Sequence, residues 1–146
     1  MTSNLMERIA GSSAWIRATF PPRVQLKMRD EARRLERTTE ARAVVVWLPD
    51  AGGGERLAFT GDFRAIPARF PSLDETVPSF EEFALDNGER VHAVVQIVQL
   101  GRGLPSLRVA AIETKAGSSY LFDAIDDCAV RLERIAVEAL TARRST

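Results

Sequence analysis

Between Val24 and Thr39 the apolar side chains fall at Val24, Met28, Ala32 and Leu35, spaced by four, four and three residues, with mostly charged residues between them. That spacing collects them on one face of a helix. Pro21-Pro22 stands just ahead. Proline is tolerated at the first helical position, so the helix can begin there. Ala43 to Leu48 is then apolar at every position and rich in β-branched valine. Such a run predicts a strand covered on both faces. Ala51-Gly52-Gly53-Gly54 reverses the chain, since glycine reaches positive φ at little cost. Arg56 to Thr60 returns as a second strand, and the simplest arrangement of the two is a hairpin.

Phe63 to Pro78 carries Pro67, Pro71 and Pro78 and shows no period, which predicts a long irregular segment. Ser79-Phe80-Glu81-Glu82 has the capping-box pattern. It predicts a short helix over Phe80 to Asp86, with Phe80, Phe83 and Ala84 facing the core and Asn87-Gly88 ending it. Val91 to Leu100 and Leu107 to Glu113 read as strands joined by Gly101-Arg102-Gly103-Leu104-Pro105, an antiparallel hairpin. In the last segment Leu121, Ile125, Cys128, Leu132, Ile135 and Ala139 step at helical spacing, with Phe122, Ala129, Ala136 and Leu140 widening the stripe. Asp123, Asp126 and Asp127 near its start and Arg143-Arg144 at its end match the helix dipole.

These elements predict an α/β (α+β) fold: a single central, mostly antiparallel sheet, with the N- and C-terminal helices packed together on one face. The seam between those helices is built from Val24, Met28, Ala32 and Leu35 with Ile125, Leu132 and Ile135. Residues 24–143 form the domain, and residues 1–23 an N-terminal extension with a helical turn over Leu5 to Ala10. A chain of 146 residues is expected to be one domain that needs no metal or disulfide to hold its core.

Lys+Arg and Asp+Glu both number 20, so the formal net charge is +0 and no global field drives the chain onto nucleic acid or a membrane. The start lacks a signal-peptide pattern, and no apolar run approaches the ~20 residues of a membrane span. With one cysteine there is no internal disulfide, which fits a reducing, cytoplasmic setting.

The candidate chemistry is sparse. His92 is the only histidine, and with Cys128 far away in sequence it fits no zinc spacing. It reads as a packed or edge residue. Cys128 falls on the apolar face of the last helix, where cysteine behaves as a small hydrophobe. Gly52-Gly53-Gly54 lacks the Lys-Ser/Thr of a phosphate loop and precedes a strand, so it is a turn. Arg29, Arg33 and Arg37, with Lys27 and Arg34 nearby, make a basic stripe on the first helix, but Asp30, Glu31 and Glu36 interleave and favour a solvated face. No catalytic set, metal site or cofactor is implied. Trp47, Phe59, Phe63, Phe70, Phe80 and Phe83 cluster in the middle of the chain, as core or as the walls of a concave pocket. Trp47, Phe59, Phe63, Phe80 and Phe83, with His92, are the candidate ligand-binding set.

The element order resembles that of the GAF domain, a small-molecule-sensing and dimerisation module with a PAS-like or profilin-like sheet. The resemblance is carried by Glu31–Leu35, Thr38–Leu48, Leu57–Asp62, Ala84–Val91 and Leu132–Leu140. The chain departs from the family in the compressed stretch from Val91 to Glu113 and in lacking the cysteines of bilin-binding members and of free methionine sulfoxide reductases. The resemblance implies a non-catalytic regulatory domain, with its pocket either open or filled. It is expected to act through a homodimer or a partner protein, with Leu121, Ile125, Leu132 and Ile135 on the associating helix, with or without a small-molecule ligand. Two other resemblances compete. Ala124-Ile125-Asp126 and Arg131–Arg134 are similar to the last helix of ribosome hibernation-promoting factors, although Tyr120 stands where an aspartate is expected and residues 51–90 would be an insertion. The order of elements also resembles a roadblock-type scaffold. Nucleic-acid binding is not expected, because no aromatic residues interleave with the arginines to stack on bases.

Overall fold

Two strands, β1 (Ala43–Leu48) and β5 (Leu107–Ile112), are buried at every residue, and the rest of the chain is arranged to cover them. The computed structural model describes residues 13–49, 54–70, 78–101, 103–115 and 118–144. The sheet has five strands in the order β2-β1-β5-β4-β3, all neighbours antiparallel, with β2 (Glu55–Gly61), β3 (Ser79–Ala84) and β4 (Arg90–Val98) completing it. Helices α1 (Ser13–Thr19), α2 (Pro22–Thr39) and α3 (Ser118–Arg144) complete the fold, and α2 and α3 pack on each other and on the sheet. The expected architecture is therefore the observed one: a single antiparallel sheet with the terminal helices together on one face.

Local chemistry explains the helix ends. Pro21 and Pro22 open α2, and the Pro21 carbonyl accepts from the amides of Val24 and Gln25 at 2.8 and 3.1 Å. Glu40 ends it in the left-handed conformation (φ 53), donating its amide back to the Glu36 carbonyl. Val24, Met28, Ala32 and Leu35 are all buried, as their spacing predicts. Leu121, Ile125 and Leu132 meet them in the same cluster, with Ile135 partly buried beside it. Trp15, Ile16 and Phe20 also belong to this core, so residues 13–20, assigned to the extension by sequence, contribute to the packed body. Trp15 meets Phe20 edge to face, with ring centroids 5.8 Å apart.

Three expectations are corrected. Ser79–Ala84 is an edge strand, not a helix, and pairs with β4 from Ser79↔Val95 to Ala84↔Arg90. The Glu82 carboxylate does not cap; it takes an ion pair from Arg90 across the strands at 2.7 Å. Of the three residues expected on a core face, Phe83 alone is buried, and Phe80 is 63% exposed. The reason is pairing: long-range ladder bonds outweigh a local cap whose pattern is compatible with helix. Asn87-Gly88 accordingly turns a hairpin, with Gly88 at φ +86 and the Asn87 side chain accepting from the Glu89 amide. Last, α3 begins at Ser118 with no acidic residue in its first turn, so Asp123, Asp126 and Asp127 lie too far along for a strong dipole effect. Leu5–Ala10, Asp50–Gly53 of the glycine turn and residues 71–77 of the irregular segment lie outside the described residues.

Gly61 shows how tightly β2 closes on β1. At φ +88, its missing Cβ would stand 2.5 Å from the Arg42 carbonyl oxygen. Beside it, Arg42 bridges Asp62 at 3.1 Å and Glu89 at 2.9 Å. The Arg64 amide and then Arg42 hold the Asp62 carboxyl below its usual value.

Leu132 is fully buried in the helix seam. We expect Leu132→Ala to lower the unfolding free energy in urea by about 2–5 kcal/mol. A loss under about 1 kcal/mol would contradict this packing.

Candidate functional site

The face of the sheet opposite the helices is closed by the chain's own aromatics. Trp47 stacks on Phe70 with centroids 4.3 Å apart and an interplanar angle of 9°, and Phe83 meets both rings edge to face. Ala65, Ile66, Leu85, Val91, Val95 and Ile112 surround them in a second buried cluster. Gly54 fits under this stack because a Cβ there would lie 2.9 Å from Trp47 Cδ1 and 3.1 Å from Phe70. Trp47 and Phe83 thus act as core.

The candidate ligand set separates into three places. Trp47 and Phe83 lie in that second cluster. Phe80 and His92 lie at the other end of the sheet, beside Glu113, around a depression of about 270 Å³. Phe80 packs there against Phe122 of α3, with centroids 5.2 Å apart. The His92 amide donates to Glu113 Oε1 at 3.2 Å, and the imidazole is near Glu82, whose carboxyl is held down chiefly by Arg90.

Phe59 and Phe63 form the third place. They line an open groove of about 600 Å³ between α2 and the free edge of β2. Their rings stand 5.3 Å apart, and the Arg56 guanidinium lies 5.0 Å from the centre of the Phe63 ring. On the other wall are Pro22, Gln25, Leu26 and Arg29 of α2. Leu26, Phe59 and Phe63 are 57%, 39% and 53% exposed. A bulge shapes this wall: Val46 pairs with Ala58 and Trp47 with Arg56, leaving Leu57 as an extra residue in β2. Leu57 and Ala58 therefore both join the helix-side core. Leu26 was legible only as an apolar residue on the polar side of its helix; Arg29 and Arg56 carried no signal that joins them.

Of the helix residues assigned to association, Leu121, Ile125 and Leu132 are buried in the helix-side core of the same chain, and Ile135 is partly buried against it. The large apolar side chains that α3 shows to solvent are Tyr120, Val130 and Val137. Between α2 and α3 a polar cleft of about 230 Å³ includes Glu31, Arg34, Asp127 and Arg131, with Cys128 at its base. Burial, then the negative charge of Glu31, pushes the Cys128 thiol up to about 12. Among the described residues no three metal-type side chains come together, and no helix is long and apolar enough to cross a membrane.

No protein-family model matches the chain, and no curated protein matches its sequence. In fold it is similar to an IclR homolog from Microbacterium hydrocarbonoxydans, whose crystal structure was solved in complex with 4-hydroxybenzoate. The TM-score is 0.52 at 8% identity, over 80% of this chain and 69% of that one.

A thiol held near 12 is almost wholly protonated at pH 8, and thiolate is the reactive form. Cys128 should resist iodoacetamide in the folded protein at pH 8 and react once urea unfolds it. Because its pKa is raised on folding, this stabilisation is present below the ordinary thiol value and is lost as pH rises towards about 12. Rapid alkylation of folded protein, read by mass spectrometry, would contradict the burial.

Proposed function

We propose that this chain is a non-catalytic regulatory domain that binds a small molecule in the α2–β2 groove and acts through association with itself or with a partner protein. The observation that carries this reading is the groove. It is larger than the two other concavities described above, and its walls combine exposed apolar side chains with a few polar groups, the usual make-up of a ligand site. The filled face of the sheet supports placing the ligand outside the core. The fold similarity to an IclR homolog crystallised with an aromatic acid supports a sensing role, by analogy of fold.

The apolar walls give the first test. The neutral dye Nile red should bind with increased, blue-shifted emission. Phe59→Ser with Phe63→Ser should remove most of that signal, while the melting temperature shifts by only a few degrees, as expected for exposed positions. Unchanged emission in the double variant would place the apolar site elsewhere and count against the groove.

Association is assigned to the outer side of α3, where Val130 and Val137 are exposed seven residues apart, two helical turns along one stripe. Sedimentation at micromolar concentration should show a dimer, and Val130→Glu with Val137→Glu should convert it to monomer with little change in melting temperature. A wild-type monomer at every concentration would rule out self-association, and a dimer that survives both substitutions would move the interface off this stripe.

A further inference from the structure

Resting on the reading that the α2–β2 groove holds a small molecule, we infer that its ligand is an apolar anion, an aromatic or branched carboxylate. The two charged residues that line the groove are both cationic, Arg29 on the helix wall and Arg56 on the strand wall, and no acidic side chain lines it among the described residues. The chain as a whole carries no excess of positive charge, so this pairing is a local feature and not part of a general basic field. Guanidinium groups present planar forks of N–H donors that match a carboxylate, and they do so best beside apolar surface, where water competes less. Phe63 supplies that surface under Arg56, at 5.0 Å from the ring centre. Phe59 extends the aromatic wall and Leu26 faces it from α2. The site therefore offers an apolar body one place and its negative head another.

The other two concavities lack this combination. The cleft between α2 and α3 mixes Glu31 and Asp127 with Arg34 and Arg131, which suits neither sign alone. The depression at Phe80 pairs an exposed ring with His92 and Glu113, and a carboxylate ligand would meet the Glu113 carboxylate. The α2–β2 groove also has the larger volume, about 600 Å³, within the range of small-molecule sites.

The test compares two probes of nearly equal shape, 1-naphthoate and neutral 1-naphthamide, by amide chemical-shift titration of the intact protein. We expect naphthoate to shift the amides of Gln25 to Arg29 and of Arg56 to Phe63 in a saturable way. Naphthamide should move the same amides with affinity lower by about tenfold or more, the size of one charge-assisted contact. Arg29→Gln with Arg56→Gln should bring naphthoate down to the naphthamide level and leave naphthamide unchanged. Equal affinity for the two probes would overturn the assignment of an anion while leaving the groove as a binding site. No saturable shift in the groove with either probe, or naphthoate shifts confined to another surface, would overturn both. The wild-type comparison stands without the variant, and the melting temperature of the double variant shows whether its loss of binding is local.

Discussion

The need to cover β1 and β5 on both faces governs this structure. Each strand is buried throughout and, Arg108 of β5 aside, apolar, so neither side of the sheet centre can be left to water. Amphipathic helices cover one side. On the other, the described residues supply no α-helix, only the short 3-10 turn Phe63–Ala65, and a compact aromatic group does the work. Trp47 is central to it, stacked on Phe70 and held edge-on by Phe83. Aromatic side chains each remove some 150–250 Å² from water, so three rings cover what a helix would otherwise cover. The edge-to-face and offset contacts fix their relative orientation as well as filling the volume.

The place proposed for binding follows from this. A sheet face left open can hold a ligand against its central strands. Here that space is taken by side chains belonging to those strands and their flanking loops. The groove proposed for the ligand lies instead where the layers end, at the outer strand β2 and the adjoining turn of α2. Similar folds host different functions, and it is the site that distinguishes them. The likeness to an IclR homolog describes the frame; the proposed ligand site rests on the residues along β2 and α2.

Most of the frame was legible in the sequence, and the exceptions share a cause. The stripe Val24-Met28-Ala32-Leu35 and the run from Leu121 to Ala139 announce helices because each buries one face and leaves the other wet. Ala43–Leu48 announces a central strand because it has no polar side to expose. Residues 79–84 misled because Ser79 and Glu82 stand at capping distance, while the partner that decides their conformation, β4, is joined through a turn read as a helix end. The candidate site was less legible. Phe59 and Phe63 were visible as aromatics, but Leu26, Arg29 and Arg56 come from a helix's solvated side and an edge strand, and their meeting is a fact of tertiary structure. The six-residue ligand set scattered because closeness in sequence does not determine which face of a sheet a side chain takes: Phe80 packs on the helix side with Phe122, whereas Trp47 belongs to the opposite cluster.

The bulge in β2 has a bearing on solubility. A sheet end with unpaired amides and carbonyls is a template on which further strands can grow. Val44-Val45-Val46-Trp47-Leu48, apolar, β-forming and without charge, is the kind of segment that stacks into fibrils when it is released. In the folded protein it sits one strand in from the end, screened by β2. Leu57 breaks the regular alternation of β2, and Arg56 adds a charge beside the break, so the exposed margin is neither flat nor neutral. At the opposite margin β3 carries Glu81 and Glu82. Both ends of the sheet thus discourage lateral growth, one by a kink and one by carboxylates, and the hazardous five-residue segment becomes accessible through unfolding and not through surface collision.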